Sequence, residues 1–134
     1  MYEKRIAEVF GKDDVPEVSE DNLLKYRGYL MGRLDRNEVL TGREDFPWEE
    51  GYVFGILDAA EYQELKKTRL SYKDEFRLVD ISEKDVAEND LIVKVKRLSD
   101  RKEFMIGLSW TTTKDGKSKD YQLLDDFATW VVNW

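Results

Sequence analysis

The second half of the chain constrains the fold most, because apolar and polar residues alternate there in several short runs. The alternation covers residues 76–81, 91–98 and 103–108, and the last two runs flank a polar turn at 99–102. Side chains two residues apart lie on the same face of a strand, so this period predicts strands with one buried face. The short polar turn predicts that the last two strands pair as an antiparallel hairpin.

The C-terminal segment fits two structures. A strand is favoured by the alternation of Ala128, Trp130, Val132 and Trp134. A helix is favoured by a second set with helical spacing, Leu123, Leu124, Phe127 and Val131. We predict a final strand.

Two helices are predicted before these strands. Apolar residues recur at steps of three and four through 20–34, after Ser19 as a candidate N-cap. A second helix is predicted to begin at Asp58, which stands three residues before Glu61 in the form of a capping box. Asp58 is therefore interpreted as a helix cap.

The chain has 134 residues, of which 41% are hydrophobic, so one domain spanning 1–134 has enough apolar surface for its own core. Residues 1–18 end in a glycine- and proline-containing break and are expected to form a short, loosely held element. The predicted fold is a small α+β single domain. Its two helices pack on a twisted antiparallel sheet, which can curl into a partial barrel.

Composition excludes several classes of function. With no cysteine and no histidine, the chain cannot use disulfides, thiolate or imidazole metal ligands, or a Ser-His-Asp triad. The absence of cysteine, of a signal-like segment and of a long apolar run indicates a cytoplasmic protein with no membrane partner. A formal charge of -7 disfavours nucleic acid as a partner and favours cations.

Residues 40–55 are the candidate functional segment. Four carboxylates flank Phe46-Pro47-Trp48 in this segment: Glu44, Asp45, Glu49 and Glu50. We predict an acidic loop between a short strand at 39–40 and a second strand at 52–54. Its aromatic residues are interpreted first as core anchors: Phe46, Trp48, Tyr52 and Phe54.

Residues 40–55, 61–69, 121–126 and 130–134 together resemble the CcbP family of cyanobacterial calcium-binding proteins. The resemblance implies a cytoplasmic Ca²⁺-binding protein without EF-hands. Such a protein buffers or senses calcium and, in heterocyst-forming cyanobacteria, bears on cell differentiation. Leu70 and Ile56-Leu57 depart from the family pattern, and neither departure touches a carboxylate.

Calcium prefers about six to eight oxygen ligands from carboxylates, carbonyls and water. The acidic segment offers its four carboxylates and the Thr41 hydroxyl, but adjacent side chains in an extended chain point apart. One member of each pair is therefore predicted to bind, together with a second segment. The nearest candidates for that segment in the sequence are Asp35, Asn37 and Glu38. The pair Asp125 and Asp126 is predicted to join them or to hold a second ion.

An EF-hand does not fit the same residues. Asp35-x-Asn37 begins like the EF-hand loop, but Val39 and Leu40 stand where an oxygen ligand and a glycine are required. Mg²⁺ fits these residues less well than Ca²⁺, because it requires octahedral coordination and binds few protein groups directly.

Three other interpretations remain open. An acidic segment in an acidic protein is often only a solvated surface. An enzyme built on this chain would rely on carboxylates, as in a glycosidase, but no catalytic signature is present and we expect no enzyme. As an adaptor without metal, the protein would bind an unknown protein partner through a sheet edge, its basic hairpin or the acidic segment.

Overall fold

The computed structural model describes residues 2–87 and 89–134, with the side chains of 84–87 also left aside. Five α-helices lie in the described residues: α1 Tyr2–Val9, α2 Glu20–Met31, α3 Glu50–Val53, α4 Ala59–Leu65 and α5 Lys119–Asn133. Two 3₁₀ turns cover Pro47–Glu49 and Leu108–Trp110. None of the helices in these residues has the length and apolar character needed to cross a bilayer.

Five strands in the described residues form one sheet: β1 Leu40–Gly42, β2 Phe76–Ala87, β3 Asp90–Arg97, β4 Glu103–Gly107 and β5 Thr111–Thr113. Their order is β4-β3-β2-β1-β5, and every neighbouring pair is antiparallel. The α+β prediction is confirmed. Within the described residues the sheet stays open, so the barrel form is not adopted.

The β3–β4 hairpin shows why the alternation predicted the sheet. Leu91, Val93 and Val95 are buried on one face of β3, whereas Lys94 and Lys96 are exposed on the other. The polar residues of 82–90 predict a connection between two strands. This prediction is wrong, because β2 continues through Ala87 and pairs there with the start of β3.

An aromatic cluster joins three helices above the sheet. Tyr26 of α2 lies 5.0 Å from Phe127 and 5.1 Å from Trp130 of α5, measured between ring centroids. Phe10, just after α1, contacts Trp130 at 5.4 Å. Arg5 of α1 also makes two hydrogen bonds to Asp126, of 2.8 and 2.9 Å, so the N-terminal element is attached to the core.

The prediction of a final strand is wrong. Ser118 is the N-cap of α5, because its side chain accepts a hydrogen bond from the Asp120 amide. The helix buries Leu124 and Trp130, while Val132, a member of the alternating set, is left 78% exposed. Helical spacing fits here because it turns one continuous apolar stripe towards the sheet.

The two predicted helices are confirmed with small differences. The Ser19 hydroxyl caps α2, which ends at Met31 before the predicted end. Asp58 caps α4 by accepting from the Ala60 amide at 2.8 Å. Glu61 instead accepts from the Tyr52 hydroxyl at 2.8 Å, so its side chain is turned towards α3.

Candidate functional site

The acidic segment folds differently from the predicted loop between two strands. After β1, Pro47 opens the 3₁₀ turn Pro47–Glu49, which runs directly into α3. The predicted strand at 52–54 is wrong, because this stretch belongs to α3 and its C-terminal turn. Proline suits the first position of a helical turn, where its missing N–H costs no hydrogen bond.

Glu49 is a fully buried carboxylate, with 0% of its surface exposed. Its Oε2 accepts hydrogen bonds from the hydroxyls of Tyr62 and Ser71, each at 2.7 Å. Its Oε1 accepts from the backbone amides of Tyr72 at 2.8 Å and Phe46 at 3.3 Å. Four donors therefore compensate the burial of this charge and join three segments of the chain.

Aromatic rings surround the Glu49 carboxylate. Tyr52 stacks on Tyr62 with 5.2 Å between centroids, and Trp48 lies 5.7 Å from Tyr62. Burial, together with the hydrogen bond to Glu49, raises the pKa of Tyr62 to about 12. Phe54 does not join this cluster: it is 71% exposed, so the prediction that it anchors the core is wrong.

The other three carboxylates of the acidic segment lie together in a different place. Glu44, Asp45 and Glu50 line an open groove of about 760 Å³ between this segment, β5 and the exposed face of α5. Unlike Glu49, these three side chains make no hydrogen bond or ion pair with any described residue.

The remaining loop and C-terminal candidates are bound to protein groups. The Thr41 hydroxyl donates to the carbonyls of Tyr72 and Asp74, at 3.0 and 2.9 Å. Asp125 pairs with Arg43 at 2.8 Å, whereas Asp126 faces the other way and pairs with Arg5. The structure therefore does not bring Asp125 and Asp126 together as one ligand pair.

The third candidate group, Asp35, Asn37 and Glu38, forms a turn between α2 and β1 and meets the start of α5. The Asp35 amide donates to Asp120 Oδ2 at 2.9 Å, across 85 residues of sequence. Asp35 Oδ1 accepts from the Asn37 amide at 2.9 Å, and Glu38 accepts from the Ser118 hydroxyl. This contact gathers carboxylates from two distant turns.

Asp120 has the least satisfied carboxylate of this group. It is only 1% exposed, and its Oδ1 has no hydrogen-bond partner in the described residues. The ammonium of Lys119 lies 3.8 Å from Oδ1, too far for a hydrogen bond. Burial raises the pKa of Glu38, and the negative charges of Asp120, Asp115 and Asp35 raise it further.

Asp115 and Asp120 were not among the residues predicted from the sequence. The sequence Ser118-x-Asp120 is a helix N-terminus signal, but it does not reveal a partner at Asp35. In the part of the chain that the structure describes, no three carboxylates are already positioned to hold a metal ion together.

Comparisons with protein-family models, curated proteins and solved structures found no match for this chain.

Proposed function

We propose that the protein binds Ca²⁺ at the N-terminus of α5, through Asp35, Glu38, Asp115 and Asp120, named here the α5 cluster. The observation that carries the proposal is Asp120 Oδ1, a buried carboxylate oxygen without a hydrogen bond among the described residues. Burying a charge that is neither paired nor fully hydrogen-bonded costs about several kcal/mol of stability. The Asp35 amide at Oδ2 and the Lys119 ammonium, 3.8 Å from Oδ1, compensate this charge only in part, and a cation bound directly to Oδ1 completes the compensation.

The charges around Asp120 support a divalent ion. Glu38 is the half-buried neighbour whose pKa rises through burial and through repulsion by the other three carboxylates. A divalent cation converts that repulsion into attraction, since each carboxylate then acts as a counter-charge. The N-terminal dipole of α5 already favours negative charge at this position, so the acids are tolerated without metal.

The donor chemistry favours calcium over softer metals. Every candidate ligand is an oxygen, and the chain has no histidine or cysteine. Oxygen-only sites suit Ca²⁺ and Mg²⁺, and calcium accepts the irregular geometry that carboxylates from two turns provide. Magnesium is expected to compete weakly because it requires near-octahedral order.

Binding requires side-chain movements that break existing hydrogen bonds. Glu38 has to exchange its contact with Ser118 for the ion. The exposed side chains of Asp35 and Asp115 have to turn towards Asp120 and give up their hydrogen bonds from the amides of Asn37 and Lys117. These are rotamer changes at the surface, where staggered side-chain conformations interconvert readily. The backbone contact between Asp35 and Asp120 already holds the two turns together.

A cytoplasmic calcium buffer or sensor, acting without catalysis, is the role that agrees with the sequence resemblance and with this site. Tryptophan fluorescence separates the two roles, because Trp130 lies in the same helix as Asp120 and packs in the aromatic cluster. A sensor changes its spectrum when calcium saturates it. A passive buffer leaves the spectrum unchanged.

Calorimetry on chelator-treated protein tests the proposal. The wild type should release or absorb heat with Ca²⁺, and Asp120→Asn should weaken binding at least about tenfold, or 1.4 kcal/mol. Asp21→Asn is the matched control, because Asp21 is also the second residue of a helix capped by serine but is exposed. Its affinity should equal that of the wild type.

A second variant distinguishes the α5 cluster from the acidic segment. Glu44→Gln combined with Asp45→Asn should leave calcium affinity within about twofold of the wild type, since these groups lie in the groove. Loss of binding in this variant with retention in Asp120→Asn would move the site to the acidic segment. No heat up to millimolar Ca²⁺ would refute the calcium proposal and favour the adaptor interpretation.

A further inference from the structure

The groove beside the acidic segment combines unpaired negative charge with apolar side chains. Its lining includes the carboxylates Glu44, Asp45 and Glu50, called here the rim, and the apolar residues Phe46, Trp110 and Val132. We call this surface the acidic groove. Trp110 and Val132 are 37% and 78% exposed, so apolar surface is open to a ligand.

The basic residues of the groove do not neutralise its rim. Arg43 pairs with Asp125 at 2.8 Å, and Lys114 pairs with Glu75 at 2.8 Å. The three rim carboxylates have no such partner among the described residues. The groove therefore has a local excess of negative charge, which attracts cationic groups.

An exposed apolar turn begins one helical turn after Glu50. It covers residues 53–57, and the amide of Phe54 donates to the Glu50 carbonyl at 3.1 Å. Phe54 and Ile56 are 71% and 78% exposed, and Leu57 is also exposed. Consecutive exposed apolar side chains of this size are typical of contact surfaces.

The apolar turn has a defined backbone rather than an irregular one. Gly55 adopts a left-handed conformation with φ of 75°, and the amides of Ile56 and Leu57 both donate to the Gly51 carbonyl. This arrangement ends α3 and defines the backbone conformation of the residues that carry the exposed side chains. Less conformational entropy is then lost when a partner covers them.

We propose that the acidic groove and the apolar turn together bind a basic amphipathic segment of a partner protein. Lysine or arginine side chains of that segment face Glu44, Asp45 and Glu50, and its apolar side chains cover Val132 and the apolar turn. Exposed apolar contacts supply affinity, and the charged rim supplies orientation and rate of association.

Charge argues against two other occupants. A second copy of this chain brings a formal charge of -7, and a symmetric contact through the turn places both copies of Glu50 and Asp58 near each other. Like charges that meet in an interface weaken binding by about several kcal/mol. An anionic membrane surface is repelled by the same carboxylates.

The groove and the α5 cluster are neighbours that share no carboxylate, so each proposal can fail alone. The groove is lined by Ala128, Thr129, Val132 and Asn133 late in α5 and extends to Lys114, Gly116 and Tyr121, but none of the four cluster carboxylates lines it. Peptide binding is therefore expected with calcium and with chelator alike.

Fluorescence anisotropy with a defined peptide tests the proposal. The probe is a fluorescein-labelled peptide of Leu-Lys-Lys-Leu repeats, and the reference probe has glutamate in place of lysine. The basic peptide should bind the wild type, and affinity should fall as salt rises from about 50 to 300 mM. The acidic peptide should not bind.

Two pairs of variants separate the docking surface from general attraction to an acidic protein. The rim variant neutralises Glu44, Asp45 and Glu50, and its control neutralises the exposed acids Asp13, Asp14 and Glu17. The rim variant should lose at least about tenfold in affinity, and the control less than about twofold. Equal losses would overturn the proposal, because they indicate attraction by net charge alone.

The apolar pair is Phe54→Ser with Ile56→Ser, against the control Leu98→Ser with Met105→Ser at other exposed positions. The first variant should weaken peptide binding at least about fivefold, and the control should not. Unchanged binding in the first variant would overturn the role of the apolar turn. Circular dichroism of each variant checks that the fold is retained.

Sedimentation and vesicle flotation identify the other occupants. Dimerisation of the wild type that is abolished by Phe54→Ser with Ile56→Ser would replace the partner protein by a second copy. Binding to phosphatidylcholine vesicles that the same variant abolishes would replace it by a membrane. The proposal expects a monomer and no flotation.

Discussion

Glu49 and Asp120 are both buried carboxylates, with 0% and 1% of their surface exposed, but their surroundings differ. Glu49 accepts four hydrogen bonds on two oxygens, from donors just before the 3₁₀ turn, in α4 and in the segment before β2. Asp120 Oδ1 accepts none from the described residues.

The comparison separates structural burial of a charge from burial that leaves room for a ligand. A carboxylate with every lone pair engaged stabilises the fold, and a metal ion gains nothing by displacing its donors. A carboxylate with an oxygen left over is less stable alone and more responsive to a cation. The sequence made Glu49 one of several candidate ligands because of its acidic neighbours, yet Asp120 has the freer oxygen.

Removal of the charge at Glu49 should have the largest effect. Glu49→Gln keeps an oxygen for the two backbone amides but places an NH₂ group before the hydroxyls of Tyr62 and Ser71. We expect a loss of about 2 to 3 kcal/mol in the free energy of unfolding, measured by urea titration.

Glu50→Gln is the control for this change, because Glu50 is the exposed neighbour without a partner in the described residues. Its free energy of unfolding should stay within about 0.5 kcal/mol of the wild type. If both variants unfold alike, the hydrogen bonds to Glu49 contribute little and the comparison fails.

Calcium should stabilise the wild type against heat. At about 100 times the dissociation constant, a ligand that binds only the folded state adds about 2.7 kcal/mol, which raises Tm by several degrees. Asp120→Asn should show no rise at the same calcium concentration, whereas Glu49→Gln should keep it from a lower starting Tm. An equal rise of Tm in Asp120→Asn would show that calcium binds outside the α5 cluster.

Without calcium, the same amide substitution should act in opposite directions at the two sites. Asp120→Asn removes the repulsion between Asp120 and Glu38 and keeps an oxygen that accepts from the Asp35 amide. We therefore expect the free energy of unfolding to increase by up to about 1 kcal/mol. Chelator-treated protein in urea provides the measurement. Destabilisation beyond about 1 kcal/mol would mean that Asp120 is a structural carboxylate like Glu49.

The smallest predicted effect is the pH dependence that Glu38 contributes. Its pKa is raised in the folded state, so the folded protein holds this proton more tightly than the unfolded chain. Stability from this group is therefore greatest below the ordinary carboxyl pKa and falls as pH rises to the raised value. In Glu38→Gln this dependence of the free energy of unfolding on pH should disappear. The measurement compares the variant with the wild type in the presence of chelator across this pH range. An unchanged dependence in the variant would exclude Glu38 as its source.

Local signals in the sequence were sufficient for much of the fold. The serine before α2, the aspartate before α4 and the alternation in β3 each report a feature that neighbouring residues determine. The C-terminal segment was mispredicted because two patterns overlap there, an alternating one that includes Trp130 and a helical one that includes Phe127, and tertiary packing decides between them. The Pro47 signal for a helical turn was present but was assigned to a loop.

The site could be predicted only in part, since its partners lie far apart in sequence. Asp35 and Glu38 are candidates because they lie near the acidic segment in sequence, but the contact between Asp35 and Asp120 joins residues 85 positions apart. Three of the four donors to Glu49 likewise come from 13 to 23 residues downstream. Acidic pairs in a sequence therefore show available charge, and only tertiary contacts show which oxygens are already engaged.

Crystals of the protein grown with Ca²⁺ provide the most direct test of the central claim, through an anomalous difference map. The account predicts an anomalous peak at about 2.3 to 2.6 Å from Asp120 Oδ1, with Glu38 among the other ligands. A peak beside Glu44, Asp45 or Glu50 with none at Asp120 would contradict it.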